Sequence, residues 1–246
     1  MKIKIINPNT TQAFTDALQR LADGVARPDA EILAVSPASG PSAIESFYDE
    51  ALAVPGVLEE IRKGDQEQDV DAYVLACFGD PGLYAARELT DKPVLGIAEA
   101  AFHMAAMVSA CFSVVTTSPR VRFMTEHLVS RYGFDEQCKK IRTTPIQVLD
   151  LANSPDTAIA KVIAECLKAR DEDKAEAIVL GCAGMSQYRT RIEAEIGIPV
   201  IDGTVAAVKL CEALVDMQLS TSKVLTFNWP KPGMARGMQA DIKSIA

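Results

Sequence analysis

Short apolar runs alternate with longer stretches of helical spacing along the whole chain. The runs Lys2–Ile6, Ile32–Val35, Ala72–Cys77, Val94–Ile97, Phe112–Thr117, Ile141–Ile146, Ala177–Cys182 and Val200–Asp202 predict strands. Several are nearly continuous in Val, Ile and Leu, the pattern of parallel strands buried on both faces. Helices are predicted between them over Thr11–Val25, Ser46–Lys63, Pro81–Leu89, Ala100–Ala110, Val121–Tyr132, Asp156–Ala169, Ser186–Ile196 and Val205–Met217. In the second of these, Leu52, Leu58 and Ile61 alternate with Glu50, Glu59, Glu60, Arg62 and Lys63. Regular strand–helix alternation implies an α/β fold with mostly parallel sheets.

The pattern also repeats. Val74-Leu75-Ala76-Cys77-Phe78-Gly79 returns as Val179-Leu180-Gly181-Cys182-Ala183-Gly184. Pro93 follows Cys77 by 16 residues and Pro199 follows Cys182 by 17, each leading to Val and then to an Ala-Ala pair. The polar turn Asn7–Thr10 precedes the first motif much as Thr116–Pro119 precedes the second. A duplicated half implies two pseudo-symmetric lobes, each with a central sheet flanked by helices and with a cleft between them. The expected division is residues 1–98 with 205–246 in lobe one and residues 99–204 in lobe two. The tail from Lys223 to Ala246 breaks the rhythm with Pro230, Pro232, Gly233 and Gly237. It reads as a meandering surface segment, with a subunit contact as the alternative.

Composition narrows the partners. The chain has 246 residues, 48% hydrophobic and 24% charged, with a formal net charge of −8. No basic patch stands out that would displace phosphate counterions, which argues against a nucleic-acid partner. The acidic balance argues equally against an anionic membrane surface. No apolar run approaches the roughly 18 residues of a membrane span. The opening Met1–Ile6 reads as a strand rather than a leader, so a cytoplasmic location is expected. The six cysteines form no Cys-x-x-Cys pair and no zinc spacing with His103 or His127, so no metal is expected.

Ligands of parallel α/β sheets bind beyond the carboxyl ends of strands. Four polar turns fall there: Asn7–Thr10, Cys77–Asp80, Thr116–Ser118 and Cys182–Gly184. A lone cysteine at a strand end is commonly a small buried hydrophobe, which suits Cys111, Cys138, Cys166 and Cys211. The duplicated context makes Cys77 and Cys182 the catalytic candidates, two thiols facing each other across the cleft. Gly79 and Gly184 would let backbone approach a ligand and permit unusual dihedrals. Helices starting just after Asp80 and Met185 would aim amides at the site and pull the cysteines below their ordinary pKa. Asn9, Thr116 and Thr117 offer groups for substrate carbonyl and N–H, with helix capping as the bland alternative. Glu45 follows a polar loop that could line the cleft. Phe47, Phe78 and Tyr84 are candidates to shape a substituent pocket. Asp80 and Asp202 read as turn or cap residues.

Taken together, these motifs resemble the aspartate/glutamate racemase superfamily, and within it the hydantoin and allantoin racemases. The resemblance rests on Asn7–Thr10, Ala76–Leu83, Gly96–Ala101, Val115–Thr117, Leu180–Met185 and Val200–Gly203, and runs from residue 1 to about 222. It implies two pseudo-symmetric α/β lobes, a cofactor-independent reaction with Cys77 and Cys182 as base and acid, and frequent homo-oligomers. It implies substrate contacts at Asn9, Cys77, Gly79, Thr116, Thr117, Cys182 and Gly184, beside which Phe78, Ala183 and Glu45 stand as further substrate-binding candidates. Superfamily members acting on free amino acids read Cys-Asn-Thr and Cys-Thr-Glu where this chain has Cys77-Phe78-Gly79 and Cys182-Ala183-Gly184. A neutral ring amide fits these turns better. The expected activity is racemisation of 5-substituted hydantoins, allantoin included. The rivals are a decarboxylase or cis-trans isomerase of small dicarboxylates, and a non-catalytic two-lobed binding protein.

Overall fold

Among the described residues, eight strands divide into two four-stranded parallel sheets of identical order, β2-β1-β3-β4 and β6-β5-β7-β8. The structure, a computed structural model, describes residues 1–231. The expectations for residues 232–246, in lobe one and in the tail, lie outside the described residues. The first sheet comprises β1 (Lys2–Ile6), β2 (Glu31–Val35), β3 (Ala72–Leu75) and β4 (Val94–Gly96). The second comprises β5 (Phe112–Thr116), β6 (Cys138–Thr143), β7 (Ala177–Leu180) and β8 (Val200–Ile201). The helices among the described residues are α1 (Gln12–Val25), α2 (Phe47–Lys63), α3 (Leu83–Leu89), α4 (Ile97–Val108), α5 (Arg122–Tyr132), α6 (Asp150–Asn153), α7 (Pro155–Asp171), α8 (Arg189–Ile196) and α9 (Gly203–Asp216). None is long and apolar enough to cross a membrane.

Strands β3, β5 and β7 are buried along their whole length, as parallel strands covered on both faces are. Two helices follow the sheet ends and cross between the sheets. α4 follows β4 yet lies against β7 and β8, while α9 follows β8 and lies against β3 and β4. Their small, apolar residues let one core run through both sheets, from Ile3 and Val74 to Val114 and Val179. Phe102 of α4 is its hub, stacked on Phe112 and edge-on to Phe78 at centroid distances of 5.6 Å each.

Local departures from the sequence reading have physical causes. The predicted strand Ile141–Ile146 lies instead at Cys138–Thr143. It is an outer edge strand, so its half with Lys139 and Lys140 faces water and needs no apolar run. α3 begins at Leu83 rather than Pro81, because Gly82 sits at φ 74° in the left-handed region ahead of it. The segment predicted as a helix from Ser186 is a 3-10 stretch over Ala183–Tyr188 before α8 begins. α4 and α9 start earlier than predicted, at Ile97 and Gly203.

Candidate active site

In each sheet the order reverses between the two central strands, β1 and β3 in one and β5 and β7 in the other. Such a switch point opens a crevice at the carboxyl ends of the strands. Both catalytic candidates leave their sheet there in the same way. The Ala76 amide donates to Ile6 O and the Gly181 amide to Val115 O, both at 2.8 Å. Each cysteine then opens a tight turn: Asp80 N–H to Cys77 O at 2.9 Å, Met185 N–H to Cys182 O at 3.0 Å. The thiols receive the amides of Gly79 and Gly184 respectively.

One cavity joins the two turns, with about 920 Å³ of space, its open mouth included. Cys77, Cys182, Asn9, Phe78, Gly79, Thr116, Thr117, Ala183 and Gly184 all line it. Glu45 does not. Its carboxylate accepts the Val148 amide at 2.7 Å, tying the start of α2 to the second lobe. Phe47 and Tyr84 also stand outside: Phe47 packs on Phe123 and His127, and Tyr84 on Phe227. Phe78 lines the cavity but anchors its turn in the inter-lobe core through Phe102.

Thr116 donates its hydroxyl to Gly181 O at 2.8 Å, leaving oxygen lone pairs for a donor in the cavity. This contact explains Gly181, where a Cβ would lie 2.5 Å from Thr116 Cβ. The Asn9 side-chain oxygen accepts from Thr11 N–H at 2.9 Å and from Asn7 at 3.1 Å, so its NH₂ remains for a ligand. Gly79 and Gly184 are not at positive φ, contrary to the expectation of unusual dihedrals. Space is what Gly184 needs: a Cβ there would lie 2.8 Å from Leu151 Cδ1 and 3.3 Å from Phe14 Cε1.

Residues 3–211 match the Asp/Glu/Hydantoin racemase family. The chain belongs to this family. The hydantoin racemase of Pseudomonas sp. (strain NS671) is 53% identical over 231 residues, covering 94% of this chain and 92% of the relative. The solved allantoin racemase of Klebsiella pneumoniae superposes with a TM-score of 0.94 at 48% identity, covering 96% of each chain. That of Pseudomonas fluorescens gives 0.92 at 35% identity, covering 96% of this chain and 100% of the other.

In this racemase-family chain the cysteines sit at the other end of the scale from the sequence expectation. Burial pushes Cys77 up to about 12, helped by charge on Cys182, Asp80 and Glu50, against the Gly79 amide. Burial also pushes Cys182 up to about 11, with Glu45 adding to it against the Gly184 amide. The expected depression fails because burial outweighs the amides that reach each sulfur, although a 3-10 turn starts directly after Cys182. α3 and α8 begin at Leu83 and Arg189, several residues beyond each thiol.

Two contributors escape sequence reasoning. Asn7 is buried, lines the cavity, and hands its amide to Asn9 and Thr15. Glu50 sits over the Cys77 turn: a Cβ on Gly79 would lie 3.8 Å from Glu50 Cδ and 3.9 Å from Cys77 Sγ. Burial raises its carboxyl, against the nearby charge of Arg131. Asp80 is the cap residue that its sequence context suggested. It receives the amides of Ala98 and Glu99 at 3.0 Å each, capping α4, and fills the space a Cβ on Gly96 would take. The spacing Ser46-x-x-Asp49, which caps α2 and holds Glu45 N–H, was visible in the sequence. Among the described residues no group of three or more His, Cys, Asp or Glu side chains is placed to hold a metal ion.

Proposed function

We propose that this protein racemises 5-substituted hydantoins without a cofactor, using Cys77 and Cys182 as a two-base pair. The observation that carries this reading is the equivalence of the two thiols. Each opens the same hydrogen-bonded turn at the switch point of one of two matching sheets, and both line one cavity. The hydantoin and allantoin racemases among its relatives support the substrate class.

Carbon 5 of a hydantoin lies beside a carbonyl, so its proton leaves to give a delocalised enolate. One sulfur, as thiolate, takes that proton and becomes a thiol. The opposite thiol delivers its own proton to the other face and becomes the thiolate. The reverse reaction exchanges the roles. A thiolate in this cleft is scarce at neutral pH but is a stronger base than one in water, because burial raises the affinity of both sulfurs for a proton. Asn9, Thr116 and Thr117 hold ring carbonyl and N–H groups, while Phe78, Gly79, Ala183 and Gly184 form the walls beside each sulfur.

The test uses enantiopure allantoin and 5-benzylhydantoin in heavy water. Loss of optical rotation with deuterium entering carbon 5 is expected. Cys77→Ser and Cys182→Ser should each abolish racemisation, one variant retaining exchange of a single enantiomer. Full racemase activity in either variant, or binding without exchange, overturns the assignment.

The lobes are assigned as residues 1–98 with the segment from 205, and residues 99–204. The packing of α9 against β3 and β4 supports this. The enzyme acts in the cytoplasm as a homo-oligomer. Exposed Phe47, Tyr48, Leu52 and Phe123 give a subunit contact apolar area to bury. Light scattering showing a monomer would refute it.

A further inference from the structure

Glu45 stands outside the cavity between two residues that line it, its chain neighbour Ile44 and its hydrogen-bond partner Val148. The segment that carries it is held at both ends. Upstream, the Thr10 amide donates to Pro41 O at 2.9 Å and the Thr11 hydroxyl to Ser42 O at 2.7 Å. Downstream, the Asp49 carboxylate accepts the Ser46 hydroxyl at 2.7 Å and the Glu45 amide at 3.1 Å. From this fixed base the Glu45 carboxylate accepts the Val148 N–H at 2.7 Å, from one lobe to the other. Val148 is buried, so its N–H needs this partner. A carboxylate acceptor makes the bond a strong one.

Both ends of the bond lead to a catalytic turn. Val148 opens the turn into α6, its carbonyl accepting the Leu151 N–H at 3.2 Å. Leu151 Cδ1 lies 2.8 Å from the place of a Cβ on Gly184, whose amide serves Cys182. On the other side, α2 begins at Phe47 and brings Glu50 over the Cys77 turn, its Cδ 3.8 Å from the place of a Cβ on Gly79. The short run Glu45–Glu50 thus spans from one sulfur's turn to the other's. A two-base exchange needs both sulfurs within reach of one carbon, and misplacing such a pair by about 1 Å costs about a hundredfold in rate.

We propose that Glu45 is a positioning residue: its bond to Val148 holds the two cysteine turns at the separation at which both sulfurs reach carbon 5. The inference rests on the two-thiol racemase reading and adds to it a brace between the lobes. Burial and, behind it, the charge of Glu45 raise Cys182, so the test separates the bond from the charge.

Racemisation and carbon-5 exchange of enantiopure 5-benzylhydantoin in heavy water are compared for the wild type and two variants, with folding checked by thermal transitions. Glu45→Asp keeps the charge and withdraws the oxygens by about 1.5 Å. Glu45→Gln keeps the reach and the acceptor and loses the charge. In Glu45→Asp, kcat for racemisation should fall by about ten- to a hundredfold. Exchange should fall less, because it needs only one sulfur in place. Glu45→Gln should retain most of the wild-type rate and the wild-type ratio of racemisation to exchange. An unchanged ratio in Glu45→Asp overturns the inference and leaves the racemase reading intact. So does a Glu45→Gln variant as impaired as Glu45→Asp, since charge would then be the cause. Loss of folding in Glu45→Asp makes the bond a stability contact and overturns the inference likewise. Absence of racemisation and exchange in the wild type, on 5-benzylhydantoin and allantoin alike, overturns the inference and the function together.

Discussion

The Tyr132 hydroxyl meets the Asp80 carboxylate at 2.8 Å, joining the last turn of α5 to the turn that carries Cys77. Burial pushes Asp80 up to about 7, outweighing the amides of Ala98 and Glu99 and this hydroxyl. A folded pKa above the unfolded value of 3.8 means stability that is full below 3.8 and declines as pH rises through about 7. The hydroxyl offsets that decline by holding the ionised form. Tyr132→Phe should therefore cost about 1 kcal/mol near pH 5 and about 2 near pH 8. Urea titrations at the two pH values measure it, and an equal cost at both would refute the role given to this pair.

Glu50 predicts a shift in pH dependence. In the proposed two-thiol mechanism the thiolate is a minor species below the raised pKa values of the thiols, so kcat/KM should climb about tenfold per pH unit between roughly pH 6 and 8. The charge of Glu50 adds to the rise of Cys77. Glu50→Gln should move that climb roughly 0.5 to 1 pH unit toward lower pH. A profile unchanged in position would remove Glu50 from the electrostatics of the site.

Lys4 predicts a stability effect. It lies fully buried in β1 and donates to Glu60 O at 2.7 Å and to the Glu60 carboxylate at 2.8 Å. Burial acts to raise Glu60, but hydrogen bonds from Lys4 and Lys63 outweigh it and lower its pKa. That stability is present above the ordinary carboxylate value of 4.5 and is lost as pH falls. Lys4→Met leaves a buried carboxylate short of a partner and should cost about 3 kcal/mol. Lys4→Met with Glu60→Met should cost much less, and a double variant as unstable as the single one would contradict this account.

The sequence carried the parts of the site that lie next to their own strands. Cys77 and Cys182 were legible because duplication puts each at the end of an apolar run, and seven further residues of the four polar turns proved to line the cavity. Glu50 was illegible because only tertiary folding brings the first turn of α2 over Gly79. Leu18 and Met124 read as ordinary helix core, since periodicity says which face is buried and not whether protein or a ligand covers it. The direction of the cysteine shifts was missed for a related reason. Turn signals at Pro81 and Ser186 do not fix where a helix starts, and burial of a thiol is a property of the closed fold.

The two sulfurs take equivalent places in two sheets of the same strand order, yet Phe78 stands beside one and Ala183 beside the other. Enantiomers are related by reflection, which no arrangement of L-residues can supply. The two directions of turnover are thus free to differ in saturation and in maximal velocity. Their specificity constants are not, because thermodynamics requires equal amounts of both hands at equilibrium. Any bias that the bulky ring adds to the binding of one hand must be repaid in its turnover.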